Sequence, residues 1–94
     1  MVENYSWLEI SERALRHNIS AHRRLLPKKT KLMAVVKSNA YGHGMDLVAT
    51  VCEQSGKVDF LGVAYLEEAI KLRILGKKMP ILVLSHYMPY KTLV

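Results

Sequence analysis

Residues 31–44 read KLMAVVKSNAYGHG, a short apolar run that ends at Lys37 and continues into a loop with two glycines. An apolar run with a charge at each end is typical of a parallel strand that is buried on both faces. Gly42 and Gly44 then break the run, and glycines permit positive φ and close approach of the backbone to a ligand. The stretch therefore predicts a strand that leads through a loop into a helix.

The segments on either side of this stretch alternate between helical and extended periodicity. A first helix is predicted to begin after Ser11, a favourable N-cap, and to end at Pro27. Its apolar side includes Leu25, and that of the last predicted helix includes Ile74, so both are expected to face the core. Beyond residues 31–37, the predicted elements are a helix over about 43–55, a strand over 58–64, a helix over 66–75 and a strand over 81–84. This order predicts an α/β fold of parallel, right-handed βαβ units.

The length of the chain limits how much of such a fold it holds. Its 94 residues suffice for one domain at most, whereas an eight-stranded barrel needs about 250. Three strands also leave two open sheet edges, and the last residues, 90–94, fall where a fourth helix would begin. We therefore expect residues 1–94 to be the N-terminal fragment of a (β/α)8, TIM-like barrel.

Composition and charge exclude several classes of protein. Half of the residues are hydrophobic and 23% are charged, as in an ordinary globular chain and unlike a disordered one. No apolar run approaches the roughly 20 residues that cross a bilayer, the first ten residues lack the features of a signal peptide, and Cys52 is the only cysteine. These features predict a cytoplasmic location and no membrane partner.

The net charge of +6 favours anionic partners. The basic doublets nevertheless lie at predicted helix ends or in loops, without the interleaved aromatic residues that a single-strand binder uses for stacking. We therefore interpret them as solvated surface and predict no nucleic-acid partner.

Lys37 lies at the end of a predicted parallel strand, which is where active sites gather in barrels and open sheets. Alternation along the strand predicts that Met33 and Val35 share its side, whereas Leu32, Ala34 and Val36 face the helices. On position alone, Lys37 is either a charge that reaches out from a strand end or an amine nucleophile. Tyr41 is either a hydroxyl donor to a phosphate or a packed aromatic ring.

The segment Ala34-Val-Val-Lys-Ser-Asn-Ala-Tyr-Gly-His-Gly44 closely resembles the pyridoxal-phosphate attachment segment of alanine racemases. The similarity extends in the same order to Trp7-Leu-Glu-Ile10, to Leu61-Gly-Val-Ala-Tyr-Leu-Glu-Glu-Ala69 and to Pro80-Ile-Leu-Val-Leu84. The family often has alanine where this chain has Ser38.

The resemblance implies a role for each matched residue. Lys37 would bind pyridoxal 5′-phosphate covalently and act as the base on one face of the substrate α-carbon. Tyr41 would contact the cofactor phosphate, and Val35, Leu82 and Leu84 would lie beside the cofactor ring. No metal ligand is implied.

The resemblance also implies what lies outside these residues. The family has a complete barrel followed by a mostly β C-terminal domain, acts as a homodimer, and converts the small amino acid L-alanine to D-alanine for cell-wall precursors. Its second base is a tyrosine from the C-terminal domain of the partner subunit, and neither this tyrosine nor the arginine at the pyridine nitrogen matches a position here. A racemase of another amino acid such as serine, or a non-catalytic relative that binds pyridoxal phosphate, would share the same loop.

Three further residues are candidates for chemistry by residue type alone. His43 belongs to the loop motif, where we expect it to have a structural role, and His86 has no partner that the sequence reveals. Cys52 lies on an apolar helical face, which favours a thiol packed in the core over a reactive one.

Overall fold

The structure, a computed structural model, describes residues 8–85. The helices and strands follow the predicted order, except that a short helical segment stands where the sequence predicts only a loop after the first strand. Their bounds are α1 (Glu12–Leu25), β1 (Met33–Val35), α2 (Lys37–Tyr41), α3 (Met45–Ser55), β2 (Phe60–Val63), α4 (Leu66–Ile74) and β3 (Ile81–Val83). Among the described helices, none has the length and apolarity that crossing a membrane requires.

The strands form one parallel sheet in the order β1-β2-β3. Val35 pairs with Gly62, and Gly62 pairs with Leu82, so these residues form one row across the sheet. Because the strands are parallel, their carboxyl ends meet at the same edge. The chain segments that follow β1, β2 and β3 therefore all emerge at the end of the sheet where Lys37 lies.

The core lies between the helices and one face of the sheet. Val36, Leu61, Val63 and Leu72 are fully enclosed there. On the other face, which we call the open face, Val35 is 36% exposed and its neighbour Val36 is 0% exposed. The predicted alternation along β1 is thus confirmed, with one set of side chains on the helices and the other on the open face.

The helix boundaries follow from local capping. The Ser11 hydroxyl accepts a hydrogen bond from the Ala14 N–H at 3.1 Å, which confirms Ser11 as the N-cap of α1. Gly56 has a φ of +68° after α3, as expected for a glycine that ends a helix.

Two predictions about inward-facing residues are wrong. Leu25 is 82% exposed, because it lies in the last turn of α1, a helix that packs mainly on α3 and has no fully buried residue. Ile74 is 80% exposed, whereas Leu72 is 0% exposed. The face of α4 that covers β2 and β3 is centred on Leu72, and a residue two positions further along lies about 200° around the helix.

Candidate active site

The loop after β1 is a left-handed turn. Ser38, Asn39, Ala40 and Tyr41 have φ values of 53°, 56°, 55° and 56°, although none of them is glycine. Each L-residue in this conformation costs roughly 1–2 kcal/mol relative to the right-handed one. The sequence predicts positive φ only at the glycines, so this turn is a finding of the structure. It also corrects the predicted bounds of the strand, since Lys37 is the first residue of α2 and β1 already ends at Val35.

Hydrogen bonds to Asn39 hold the turn against the start of α3. The Asn39 Oδ1 accepts from the Met45 N–H at 2.8 Å, and the Asn39 carbonyl accepts from the Gly44 N–H at 2.9 Å. The first bond replaces a side-chain cap, which Gly44 at the N-cap of α3 does not provide. Asparagine is also among the residues that tolerate the left-handed region best. Asn39 therefore both adopts and locks the turn.

This arrangement predicts different effects for two neighbouring substitutions. Asn39→Ala is expected to lower the free energy of unfolding by about 1–2 kcal/mol, because it removes a cap and a residue that tolerates positive φ. Ser38→Ala, at nearly the same φ, is expected to change it by less than about 0.5 kcal/mol. Chemical denaturation of both variants measures the difference. Equal losses would contradict the role of the Asn39 side chain.

The turn carries Tyr41 back towards Lys37. The Lys37 Nζ lies 6.0 Å from the centroid of the Tyr41 ring, at the limit of a cation–π contact. Tyr41 is 65% exposed, so its ring is not packed in the core. The amine and the phenol thus face the same region at the carboxyl end of the sheet.

Glu68 also contacts the turn, although the sequence does not single it out. Its Oε2 accepts from the Ser38 N–H at 2.8 Å, and its Oε1 accepts from the N–H groups of Ala64 at 2.8 Å and Tyr65 at 3.0 Å. One carboxylate therefore joins the residue after Lys37 to the loop that starts α4. The sequence signal at Glu68 is a glutamate three residues after a helix N-cap, the glutamate position of a capping box, and it indicates the helix cap but not the bond to Ser38.

The surroundings of Glu68 keep it ionised. Burial acts to raise its pKa, but the hydrogen bonds from Ser38, Tyr65 and Ala64 and the positive charge of Lys37 act against burial, and the pKa is lowered overall. A carboxyl group with a lowered pKa contributes stability that is present above its unfolded pKa. That contribution is lost as the pH falls through the lowered value.

The open face near Lys37 is apolar at Val35 and Leu82, and Leu84 follows directly after the end of β3. Leu82 is 46% and Leu84 47% exposed. Between Val35 and Leu82 lies Gly62, where an added Cβ would meet the Met33 sulfur at 2.8 Å. The Met33 side chain therefore lies over Gly62 and occupies the space that a side chain there would need.

The other candidates are placed as follows. The His43 Nδ1–H donates to the Ala40 carbonyl at 3.0 Å, so this imidazole braces the turn. Cys52 is 1% exposed, and burial raises the pKa of its thiol to about 11, in accord with a core thiol. His86 lies outside the described residues.

Several known proteins are similar to this chain over most of its length. Alanine racemase from Methylacidiphilum infernorum is 49% identical over 84 residues, which are 89% of this chain and 21% of that protein. Serine/alanine racemase from Enterococcus gallinarum is 49% identical over 81 residues, 86% of this chain and 12% of that protein. Alanine racemase from Clostridium difficile 630, solved in complex with cycloserine, superposes with a TM-score of 0.84 at 40% identity over 92% of this chain and 23% of that chain.

These likenesses confirm the predicted fold class, since the three parallel strands correspond to the TIM-like barrel of alanine racemases. The chain spans about a fifth of the length of the alanine racemases that it matches. The family model described as "Alanine racemase, N-terminal domain" matches residues 10–94. The chain therefore belongs to the alanine racemase N-terminal domain family.

Proposed function

We propose that this chain is part of a pyridoxal-phosphate-dependent amino-acid racemase. It supplies the lysine that binds the cofactor and that acts as the base on one face of the substrate α-carbon. The observation that carries the proposal is the placement of the Lys37 amine at the carboxyl end of a parallel sheet, 6.0 Å from the Tyr41 ring centroid. The experiment that tests it is borohydride reduction of the protein with pyridoxal phosphate, followed by peptide mapping. The reduced pyridoxyl group is expected on Lys37.

The residues present fit the chemistry of this cofactor. A primary amine, on Lys37, matches the aldehyde, and an exposed phenol hydroxyl, on Tyr41, matches a phosphate oxygen. An apolar floor at Val35 and Leu82, with Leu84 beside it, matches the pyridine ring. These residues would hold the group.

The chemistry that pyridoxal phosphate supplies when bound is delocalisation of the electron pair left at the α-carbon when its proton departs. The Lys37 Nζ would take a proton from, or deliver a proton to, one face of the α-carbon, and the matching transfer would occur on the opposite face. Tyr41 would orient the phosphate through its hydroxyl. Val35, Leu82 and Leu84 would exclude water from the same side. Racemisation also needs a proton donor on the opposite face, and the resemblance assigns that donor to the partner subunit of a homodimer.

The proposed substrate is L-alanine, converted to D-alanine for peptidoglycan precursors in the cytoplasm. The alanine racemase names among the relatives support it. The Enterococcus gallinarum relative, named serine/alanine racemase, supports L-serine as a second substrate. Assays with both amino acids separate the two. Pyridoxal-phosphate uptake at Lys37 without racemisation by the protein that carries this chain would instead indicate a non-catalytic relative.

The Tyr41 hydroxyl offers a test of the phosphate contact. Tyr41→Phe is expected to weaken the affinity for pyridoxal phosphate by about 10- to 100-fold, because a hydrogen bond to a charged group is lost. The same variant should leave the affinity for pyridoxal, which has no phosphate, unchanged. Absorbance titration measures both affinities. Equal weakening of the two would contradict a contact between the hydroxyl and the phosphate.

A further inference from the structure

We propose that Glu68 is a positioning residue for Lys37, because its carboxylate ties the backbone of the next residue, Ser38, to the loop that begins α4. The inference rests on the proposed function. It gives Glu68, a residue of α4, the role of fixing where the Lys37 amine lies.

The geometry divides the carboxylate into two halves. Oε2 accepts the single hydrogen bond from Ser38, and Oε1 accepts the pair from Ala64 and Tyr65. The Oε1 half caps a helix and would stabilise any protein with this fold. The Oε2 half reaches across the sheet edge to the strained turn that carries Lys37 and Tyr41.

The strain of the turn gives the Oε2 bond its importance. Ser38 is the first of four consecutive residues with positive φ, and such a conformation persists only where surrounding groups hold it. At the far end, Asn39 and Gly44 lock the turn to α3. At the near end, the Glu68 bond to the Ser38 N–H joins the turn to another strand's loop. Loss of this bond would release the backbone directly beside Lys37.

Glu68→Gln separates the two halves. Its one remaining oxygen can keep the two hydrogen bonds from Ala64 and Tyr65, and its NH₂ group, which cannot accept, would then face the Ser38 N–H. Glu53→Gln is a matched control, because the Glu53 Oε2 accepts from the Lys78 and Met79 N–H groups at 2.7 and 3.1 Å. Those groups precede β3, at the opposite end of the sheet from Lys37.

Two measurements on the protein that carries this chain test the inference. The first is the pyridoxal-phosphate concentration that half-saturates the borohydride-trapped label on Lys37. Glu68→Gln is expected to raise it about tenfold, the size of one lost charge-assisted hydrogen bond, and Glu53→Gln to leave it unchanged. The second is amide hydrogen exchange of the peptide that contains Ser38, which should accelerate in Glu68→Gln alone.

The possible outcomes are distinct. The inference would be overturned if Glu68→Gln were labelled with the same half-saturating pyridoxal-phosphate concentration as the wild-type protein. It would also be overturned if both variants lost labelling equally and in proportion to their loss of unfolding stability. Either result would leave the proposed function intact. Absence of Lys37 labelling in the wild-type protein would contradict the proposed function and the inference together. Glu68→Ala, which loses both halves, is expected to lower stability as well as labelling.

Discussion

Replacement of Lys37 by alanine is expected to abolish covalent uptake of pyridoxal phosphate. Only a primary amine can form the reducible bond with the cofactor aldehyde, and the structure places the Lys37 amine beside the Tyr41 phenol at the carboxyl end of the sheet. After borohydride treatment, the peptide that contains residue 37 should carry no pyridoxyl group in Lys37→Ala. In the wild-type protein it should carry nearly all of the label.

The controls for this experiment are two other lysines. Lys57 donates to the Ser20 hydroxyl at 2.7 Å on the helical side of the molecule, and Lys31 is exposed before β1. Lys31→Ala and Lys57→Ala should retain full labelling at Lys37. Because Lys37 is partly exposed and has no positive φ, alanine is expected to preserve the fold there, which circular dichroism checks. Label on Lys31 or Lys57 in the wild-type protein would refute the assignment.

The 94-residue chain by itself is expected to give no measurable racemisation, even with saturating pyridoxal phosphate. The structure records Tyr41 and Glu68 beside Lys37, and both belong to the segments that follow β1 and β2. A proton donor on the opposite face of the α-carbon is assigned by resemblance to another subunit. Loss of one well-placed acid or base lowers a rate by about 10²- to 10⁴-fold, and the chain spans about a fifth of the length of the alanine racemases it matches.

A coupled assay for D-alanine measures this second prediction. The full-length alanine racemase from Methylacidiphilum infernorum, 49% identical over the matched residues, serves as the positive control. The isolated chain should still label at Lys37 when the reduction is performed at high cofactor concentration, because the amine and its turn are its own. Turnover comparable to that of the control would show that the second base lies within these 94 residues.

Only part of the site could be predicted from the sequence, because one of its contacts joins residues that are far apart along the chain. The resemblance selects Lys37, Tyr41 and the apolar residues Val35, Leu82 and Leu84. The contact between Glu68 and the turn could not be predicted, because a carboxylate three residues after a helix N-cap indicates helix capping alone. Its second partner, Ser38, lies 30 residues away along the chain, and no local pattern connects the two.

What the sequence determined by itself is the order and type of the elements other than α2. Spacing of apolar residues within one helix or strand is a local property, so the alternating helices and strands, the Ser11 cap and the division of Val35 from Val36 across the sheet could all be predicted. The same local spacing failed at Ile74, because which stripe of a helix is buried depends on how the helix lies on the sheet.

Only the tertiary structure decided the left-handed turn at Ser38–Tyr41. No residue in it is glycine, and each L-residue there disfavours the left-handed region intrinsically. The turn exists because partners from two other segments hold it, namely Met45 through the Asn39 side chain and Glu68 through the Ser38 N–H. A strained backbone is stable only where distant contacts outweigh its cost, and those contacts form only when the chain has folded.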